Sequence, residues 1–363
     1  MTAADPPVAP AALSQFLDEQ LGGGPVPATL EPLPGGGSCE VFALGRGDQR
    51  WILRRAPAHA NTKRAHDVLR EYRILHAIHG CEVRVPRPIV SCDEPGVFDR
   101  PFYVMERIEG VPVRGSIPTA WVTAPDTQAR AVEELIDALV EVHAVDWRAV
   151  GLGDLGKAEG FLERQVERWL AQLASYQGRD LPAAHELARW LDAHRPEGGS
   201  PTLFHGDYKL DNVLFAEDAP PRVLAVVDWE MGTIGDPLID LAWALIFHPV
   251  GGTMPLGTAG PEKFDLDRIP SPDAMVERYA ERSGRDVSAI DWYHVFARWK
   301  AAIVLEGSFA KWQRGESDKP VHEWFGPQAD LLLESATGLV RSAAPTSNRL
   351  APGGASTDQG AVP

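Results

Sequence analysis

His205, Asp207, Lys209, Asp211 and Asn212 crowd into one stretch, "LFHGDYKLDNVLF", residues 203–215, between two short apolar runs. Two readings are open: a β-hairpin with a charged tip, or a catalytic loop set between strands. His205, Asp207 and Asn212 fall as H-x-D-x-x-x-x-N, and sixteen residues beyond Asn212 the run "VVDWE" closes an apolar strand on Asp228. Phosphoryl transfer from a nucleotide accounts for each position. Asp207 would accept the attacking hydroxyl's proton or orient that hydroxyl. The Asn212 amide oxygen and the Asp228 carboxylate would hold Mg²⁺, a hard ion that prefers oxygen. Such chemistry is mostly positioning and charge neutralisation, so few protein groups suffice. Lys209 would reach the transferring phosphate, and Glu230 is a further metal candidate, directly or through water. His205 suits the fixing of loop backbone better than proton transfer.

The elements that must position these groups divide the chain. The segments "PLPGGGSCEVFALG" and "QRWILRRAP" read as neighbouring strands, the first led in by three glycines. Val68, Leu69, Tyr72, Leu75 and Ile78 give residues 61–79 a helical period, with Gly80 placed to end it. "VPRPIVSCDEPGVFDRPFYVMERIEG" reads as two strands around the turn Glu94-Pro95-Gly96. From about residue 126 the pattern is helical, with further helices expected near 158–176, 183–194, 273–283, 291–314 and 322–340. Short strands at 202–204, 213–215 and 223–228 interrupt them. The expectation is an α+β chain of two lobes: a tail and leading helix over 1–24, a small β-rich N-lobe over 25–108 that binds nucleotide, a larger mostly helical C-lobe over 109–341 that carries catalysis and the acceptor, and a disordered tail over 342–363. The Gly/Pro-rich residues 250–270 read as an irregular loop that would serve as a lid.

The totals remove several classes. At 363 residues the chain is too long for one small core, and its 44% apolar content supplies packed interiors. A net charge of −16 opposes binding to a nucleic-acid backbone, which needs clustered cations, yet leaves room for a nucleotide held by a local positive site and a metal. Cys39, Cys81 and Cys92 match no zinc spacing and are odd in number, so inert thiols in a reducing compartment are expected. There is no basic and apolar leader and no long apolar run, so the expectation is a cytoplasmic protein with no membrane partner, monomer or homodimer.

The motifs resemble those of the aminoglycoside phosphotransferase superfamily, small-molecule kinases with a protein-kinase-like fold. "HGDYKLDN" resembles its catalytic loop, and "DWEMGTIGDPLIDLAW" its metal-binding segment and following helix. "WILRRAP", "HDVLREYRIL" and "AAIVLEG" resemble the kinase-like domain of acyl-CoA dehydrogenase family members 10 and 11. The resemblance implies ATP and Mg²⁺ as cofactors. Gly35, Gly36, Gly37 and Ser38 then stand where the nucleotide's phosphate loop belongs, glycines letting backbone N–H groups approach phosphates. The family's strand lysine has no counterpart. Arg54 and Arg55 replace it on opposite faces of the strand, and matching Ile52-Leu53-Arg54 to the family favours Arg54, with Ile52 against the adenine. Glu71 would be its ion-pair partner, or else a surface carboxylate paired with Arg70 or Arg73. "YVMERIEG" resembles the hinge, so the Glu106 carbonyl and Ile108 N–H would meet the adenine.

Asp236 and Asp240 are expected to brace the catalytic loop, Asp236 as a helix cap before Pro237, and His143 to be a satisfied core histidine. The acceptor is a small-molecule hydroxyl. The resemblance favours a hydroxy fatty acid or hydroxyacyl-CoA, with Arg298 and Lys300 as anion contacts or else solvated surface. An aminoglycoside or a choline-type alcohol, the latter caged by Trp292, Trp299, Trp312 or Trp324, is the alternative. A nucleotide-binding module without catalysis would have broken Asp207, Asn212 or Asp228, and all three are present. Trp-Glu in place of Phe-Gly after Asp228 argues against a protein kinase.

Overall fold

The structure is a computed structural model that describes residues 9–33, 39–57, 67–114, 116–124, 127–248 and 264–343. The glycine triplet Gly35–Gly37 with Ser38, most of the expected lid and the C-terminal tail lie outside the described residues.

The N-terminal part contains helix α1 (Ala11–Leu21), strands β1 (Ala28–Pro32), β2 (Glu40–Arg46) and β3 (Gln49–Arg55), helix α2 (Val68–Ile78), strand β4 (Pro88–Cys92), the one-turn helix α3 (Pro95–Phe98) and strand β5 (Phe102–Glu106). The five strands form one antiparallel sheet in the order β1-β2-β3-β5-β4. Arg46 pairs with Gln49, so β2 and β3 are joined by the two-residue turn Gly47-Asp48, with Gly47 at φ +58°. Sequence reading placed only a turn at Glu94-Pro95-Gly96; a proline at the first helical position makes it the short helix α3. It also missed β1, whose five residues alternate too briefly to stand out.

Period-2 alternation sorts this sheet's residues. Trp51, Leu53, Phe102 and Val104 pack with Leu13 and Leu17 of α1 in one core. Tyr103, Met105 and the partly buried Ile52 pack on the other side with Val68, Ile74, Leu75 and Ile78 of α2 and the large C-terminal core. Arg54, two residues from Ile52, shares that second face, and Arg55 does not.

The C-terminal part follows with β6 (Val111–Pro112), α4 (Thr119–Thr123), α5 (Thr127–Ala144), α6 (Gln165–Ser175), α7 (Pro182–Ala193), β7 (Thr202–Phe204), β8 (Val213–Phe215), β9 (Val223–Val226), β10 (Thr233–Gly235), α8 (Leu238–Ile246), α9 (Pro272–Ser283), α10 (Ile290–Gln313) and α11 (Phe325–Ala343). Strand β7 pairs with β10, and β8 pairs with β6 and β9. The two strands flanking His205–Asn212 are therefore not partners, and the charged-tip hairpin is excluded. Helix α8 is buried on all sides, and α10, packed on α8 and α11, buries residues around most of its circumference, which makes them the axis on which the loop rests. Trp292 and Trp299 are buried core and Trp324 is exposed, so they form no aromatic cage. Among the described residues no helix is long and apolar enough to cross a membrane. The three cysteines are free, and burial pushes the Cys39 thiol up to about 11.

Candidate active site

Asp207 lies between β7 and the helical turn Leu210–Asn212 that starts β8. Its carboxylate is held from both ends. Oδ2 accepts from Lys209 Nζ at 2.6 Å and Asn212 Nδ2 at 2.9 Å, and Oδ1 accepts from Trp243 Nε1 at 2.8 Å. Asn212 Nδ2 also donates to the Asp207 carbonyl at 2.9 Å, which turns the amide oxygen away from Asp207. The loop's shape is fixed by backbone contacts. Gly206 has φ +87°, and a Cβ there would meet the Met231 carbonyl oxygen at 2.7 Å. Asp240, fully buried at the start of α8, accepts from the N–H groups of His205 and, at 2.8 Å, Gly206. His205 Nε2 donates to the Val227 carbonyl at 2.9 Å, and its Nδ1 accepts the Asp207 N–H at 3.3 Å. His143 sits in the core between Tyr279 Oη at 2.7 Å and Asp240.

Asp228 follows β9 directly. The Val227 N–H donates to the Asn212 carbonyl at 2.9 Å, tying the two candidate metal ligands together through the backbone. Asp228 is left-handed, at φ +68° and ψ 61°, a conformation that aspartate tolerates and that marks a tightly determined position. Oxygen donors from one amide and one carboxylate suit Mg²⁺. Glu230 lies half-buried in the one-turn helix after Asp228, its carbonyl 3.5 Å from Arg70 Nη1.

The N-lobe supplies the facing cluster. Arg54 Nη2 donates to Asp228 Oδ1 at 2.8 Å, and its Nε lies 3.3 Å from Glu71 Oε2, an approach without hydrogen-bond alignment. Glu71 Oε1 accepts the Trp229 N–H at 2.9 Å. Of the two readings left open for Glu71, the buried ion pair is the one observed, because Arg70 and Arg73 reach instead to Leu155 O and to Asp154. Arg55 points the other way, pairing with Glu40 and stacking 4.1 Å over Phe98. The two carboxylates beside Arg54 titrate in opposite directions. Complete burial raises Glu71 to about 7 against the pull of Arg54. Asp228 is also desolvated, but Arg54's charge and aligned bond hold it below the usual range.

A cavity of about 230 Å³ is lined by Leu33, Ile52, Met105, Leu214 and Val227 and by the segment from Glu106 to Gly110. Glu106 and Ile108 both line it. A larger hollow of about 640 Å³ between α5 and α9 contains none of the motif residues.

Sequence reading missed Trp243 and misplaced Lys300. Lys300 is neither solvated nor an open anion contact: it is buried, with Nζ 3.2 Å from the Gly206 carbonyl. Arg298 is taken up by Ser335 Oγ and the His294 carbonyl. A usable signal existed for Trp243, which stands three residues after Asp240 and so on the same helix face.

Residues 29–299 match the model of the APH phosphotransferase enzyme family. The chain belongs to that family. It is 30% identical over 293 residues to acyl-CoA dehydrogenase family member 11 of Rattus norvegicus, covering 80% of this chain and 37% of that protein. The phosphotransferase thus spans about two fifths of the length of that curated relative. A solved structure from Ralstonia eutropha, classed as an aminoglycoside phosphotransferase, superposes with a TM-score of 0.76 at 28% identity, over 91% of this chain and 99% of that one. A variant of aminoglycoside phosphotransferase APH(4)-Ia, in ternary complex with AMP-PNP and hygromycin B, superposes with a TM-score of 0.54 at 17% identity over 93% of this chain and 100% of that one, a likeness of fold. The bilobal kinase-like fold expected from the motifs is the fold observed.

Proposed function

We propose that this phosphotransferase moves the γ-phosphoryl group of ATP, with Mg²⁺, onto a hydroxyl of a small molecule. The observation that carries the reading is the Asp207 carboxylate, held at both oxygens by Lys209, Asn212 and Trp243. The hydroxyl oxygen attacks γ-phosphorus and its proton passes to Asp207. The bond from γ-phosphorus to the bridging oxygen breaks, and ADP leaves with that oxygen's electron pair. Lys209, already 2.6 Å from Asp207, is within reach of the transferring group. The Asn212 amide oxygen and the Asp228 carboxylate would hold Mg²⁺, with Glu230 close by; when bound, the ion would neutralise phosphate charge. Arg54 would face the phosphates, with Gly35, Gly36, Gly37 and Ser38 as the further phosphate contacts, and the adenine would lie against Ile52 with the Glu106 carbonyl and Ile108 N–H as its polar contacts.

The acceptor we favour is a hydroxy fatty acid or its CoA thioester. Support comes from the 30% identity to an acyl-CoA dehydrogenase family protein. The test is transfer of labelled γ-phosphate from ATP, with and without Mg²⁺, to hydroxy acids, their CoA thioesters, aminoglycosides and choline. Transfer to a hydroxyacyl compound that disappears in Asp207→Ala is the expected result. Transfer to an aminoglycoside or choline would discard the acceptor and keep the reaction. ATP binding without transfer to any of them would favour the non-catalytic module.

A further inference from the structure

Lys300 is a lysine without an obvious purpose: buried to 6% exposure on α10, with burial pushing its ammonium down to about 8. Two indoles and a carbonyl lie against it, and the Asp207 and Asp240 carboxylates act on it as opposite charges that partly offset the burial. Nζ lies 4.2 Å from the centre of the Trp243 ring, 5.5 Å from that of Trp169 and 3.2 Å from the Gly206 carbonyl oxygen. Removing an ammonium from water is unfavourable, so hydrophobic packing alone gives no reason for it to be there. What two of these partners share is Asp207. Gly206 supplies the peptide immediately before it, and Trp243 donates to its Oδ1.

We infer that Lys300 and Trp243 form a clamp that orients the Asp207 carboxylate, Trp243 by direct hydrogen bond and Lys300 through the indole ring and the Gly206 carbonyl. Both are positioning residues, and the inference rests on Asp207 being the group that receives the acceptor hydroxyl. Oδ2 takes two donors, Lys209 and Asn212, whereas Oδ1 takes one. Each carboxylate oxygen has two lone pairs, so Oδ1 keeps one for the acceptor hydroxyl, and the indole N–H sets the direction in which it points. A cation on the face of an indole is attracted to its π electrons and draws density from the ring, which strengthens the N–H as a donor. The same ammonium pins the carbonyl one peptide away. Release of either hold lets the carboxylate turn about its terminal bond, and misplacement by about 1 Å costs on the order of 10²-fold in rate.

The test has a spectroscopic arm that needs no acceptor and a kinetic arm that does. Full-length protein carrying ¹⁵N-tryptophan is compared with Trp243→Phe, which identifies the Trp243 indole resonance by its loss. Asp207→Asn and Lys300→Met are each expected to move that resonance upfield while the exposed Trp324 indole stays unmoved, and Lys300→Arg to restore part of the shift. A Trp243 resonance indifferent to Lys300→Met in a folded protein overturns the clamp, whether or not an acceptor has been found. If Lys300→Met does not fold, Lys300→Gln serves in its place. In the kinetic arm, using the best acceptor of the panel above, Trp243→Phe and Lys300→Met should each lower kcat by at least about tenfold with the KM for ATP within about twofold, and the double variant should lose little more than either alone. Losses that multiply in the double variant would mean two independent effects and sink the inference.

Discussion

Arg54 and Asp207 each sit at the centre of a charged cluster, but the clusters are assembled at very different distances along the chain. Asp207 draws its partners from 2, 5 and 36 residues away, on a loop and the helix that follows. Arg54 finds Asp228 across 174 residues, and Glu71 reaches the Trp229 N–H across 158. The first cluster is a local device of the C-lobe that forms when one loop folds on α8. The second exists only when the two lobes close on one another. Damage to the Asp207 cluster should therefore be read in turnover, and damage to the Arg54 cluster in stability and nucleotide binding.

The sharpest break is Asp207→Ala. Loss of the group that receives the hydroxyl proton should lower turnover by ~10²–10⁴-fold. Lys209 can be rehydrated and Asn212 keeps the residue-207 carbonyl, but the buried Trp243 N–H loses the Asp207 carboxylate, so denaturant unfolding should register a loss of about 1–3 kcal/mol. Unfolding that accounts for the lost activity would show the cluster to be structural.

Arg54→Met attacks the other side. It leaves the buried Glu71 and partly buried Asp228 carboxylates close together without a cation, and removing one partner of a buried pair typically costs about 3–5 kcal/mol. Arg54→Lys should recover part of the stability and less of the nucleotide affinity, since one ammonium does not reproduce a fork that contacts two carboxylates. A fall in kcat at saturating ATP with unchanged stability would contradict the division.

Legibility follows the same divide. The Asp207 cluster was nearly complete in the sequence because its groups fall within one short motif with fixed spacing. The α2 stripe predicted which way Glu71 could face, but Arg70 and Arg73 on the same helix left its partner open until the lobes were seen together. Strand alternation separated Arg54 from Arg55, and only the sheet's two distinct cores decided which face met the cleft. Lys300 was misread for a related reason. A lysine in an otherwise apolar helix normally reaches water, and nothing local in "FARWKAAIV" reveals that two tryptophans from α6 and α8 close over it.

Within the Arg54 cluster the two carboxylates can be told apart by pH. Glu71 is raised in the folded protein from the usual 4.5 to about 7, so between those values the folded state keeps a proton that the unfolded chain has released. Its contribution to stability is full below about 4.5 and is lost as the pH climbs to about 7. Asp228 runs oppositely, lowered in the folded state, so its contribution is lost as acid protonates it below the usual 3.8. Glu71→Gln keeps an oxygen for the Trp229 N–H and removes the titration. The difference between wild-type and variant stability should therefore change with pH between 4.5 and 7 and level off above, as read from unfolding free energies across that range. A flat difference would mean that Glu71 is ionised throughout and that Arg54 serves both carboxylates equally.

The smallest effect should come from Asp236, which ties the start of α8 to α10 and to the segment before β7. Asp236 accepts from Tyr293 Oη at 2.8 Å, from the Leu238 N–H at 3.0 Å and from the Gly199 N–H at 3.1 Å. It is a buried carboxylate whose charge is spread over three donors drawn from α10, α8 and the segment before β7. Tyr293→Phe removes one donor and leaves two, so the destabilisation should be about 1–2 kcal/mol, the cost of a buried charged acceptor losing one bond. Asp240 still holds the His205 and Gly206 N–H groups in that variant, so the loop keeps its direct support and kcat should stay within about twofold. A variant that loses turnover at full stability would instead mean that Asp236 and Asp240 act as one unit, and that the loop's geometry depends on α10 through Tyr293 as well as through Lys300.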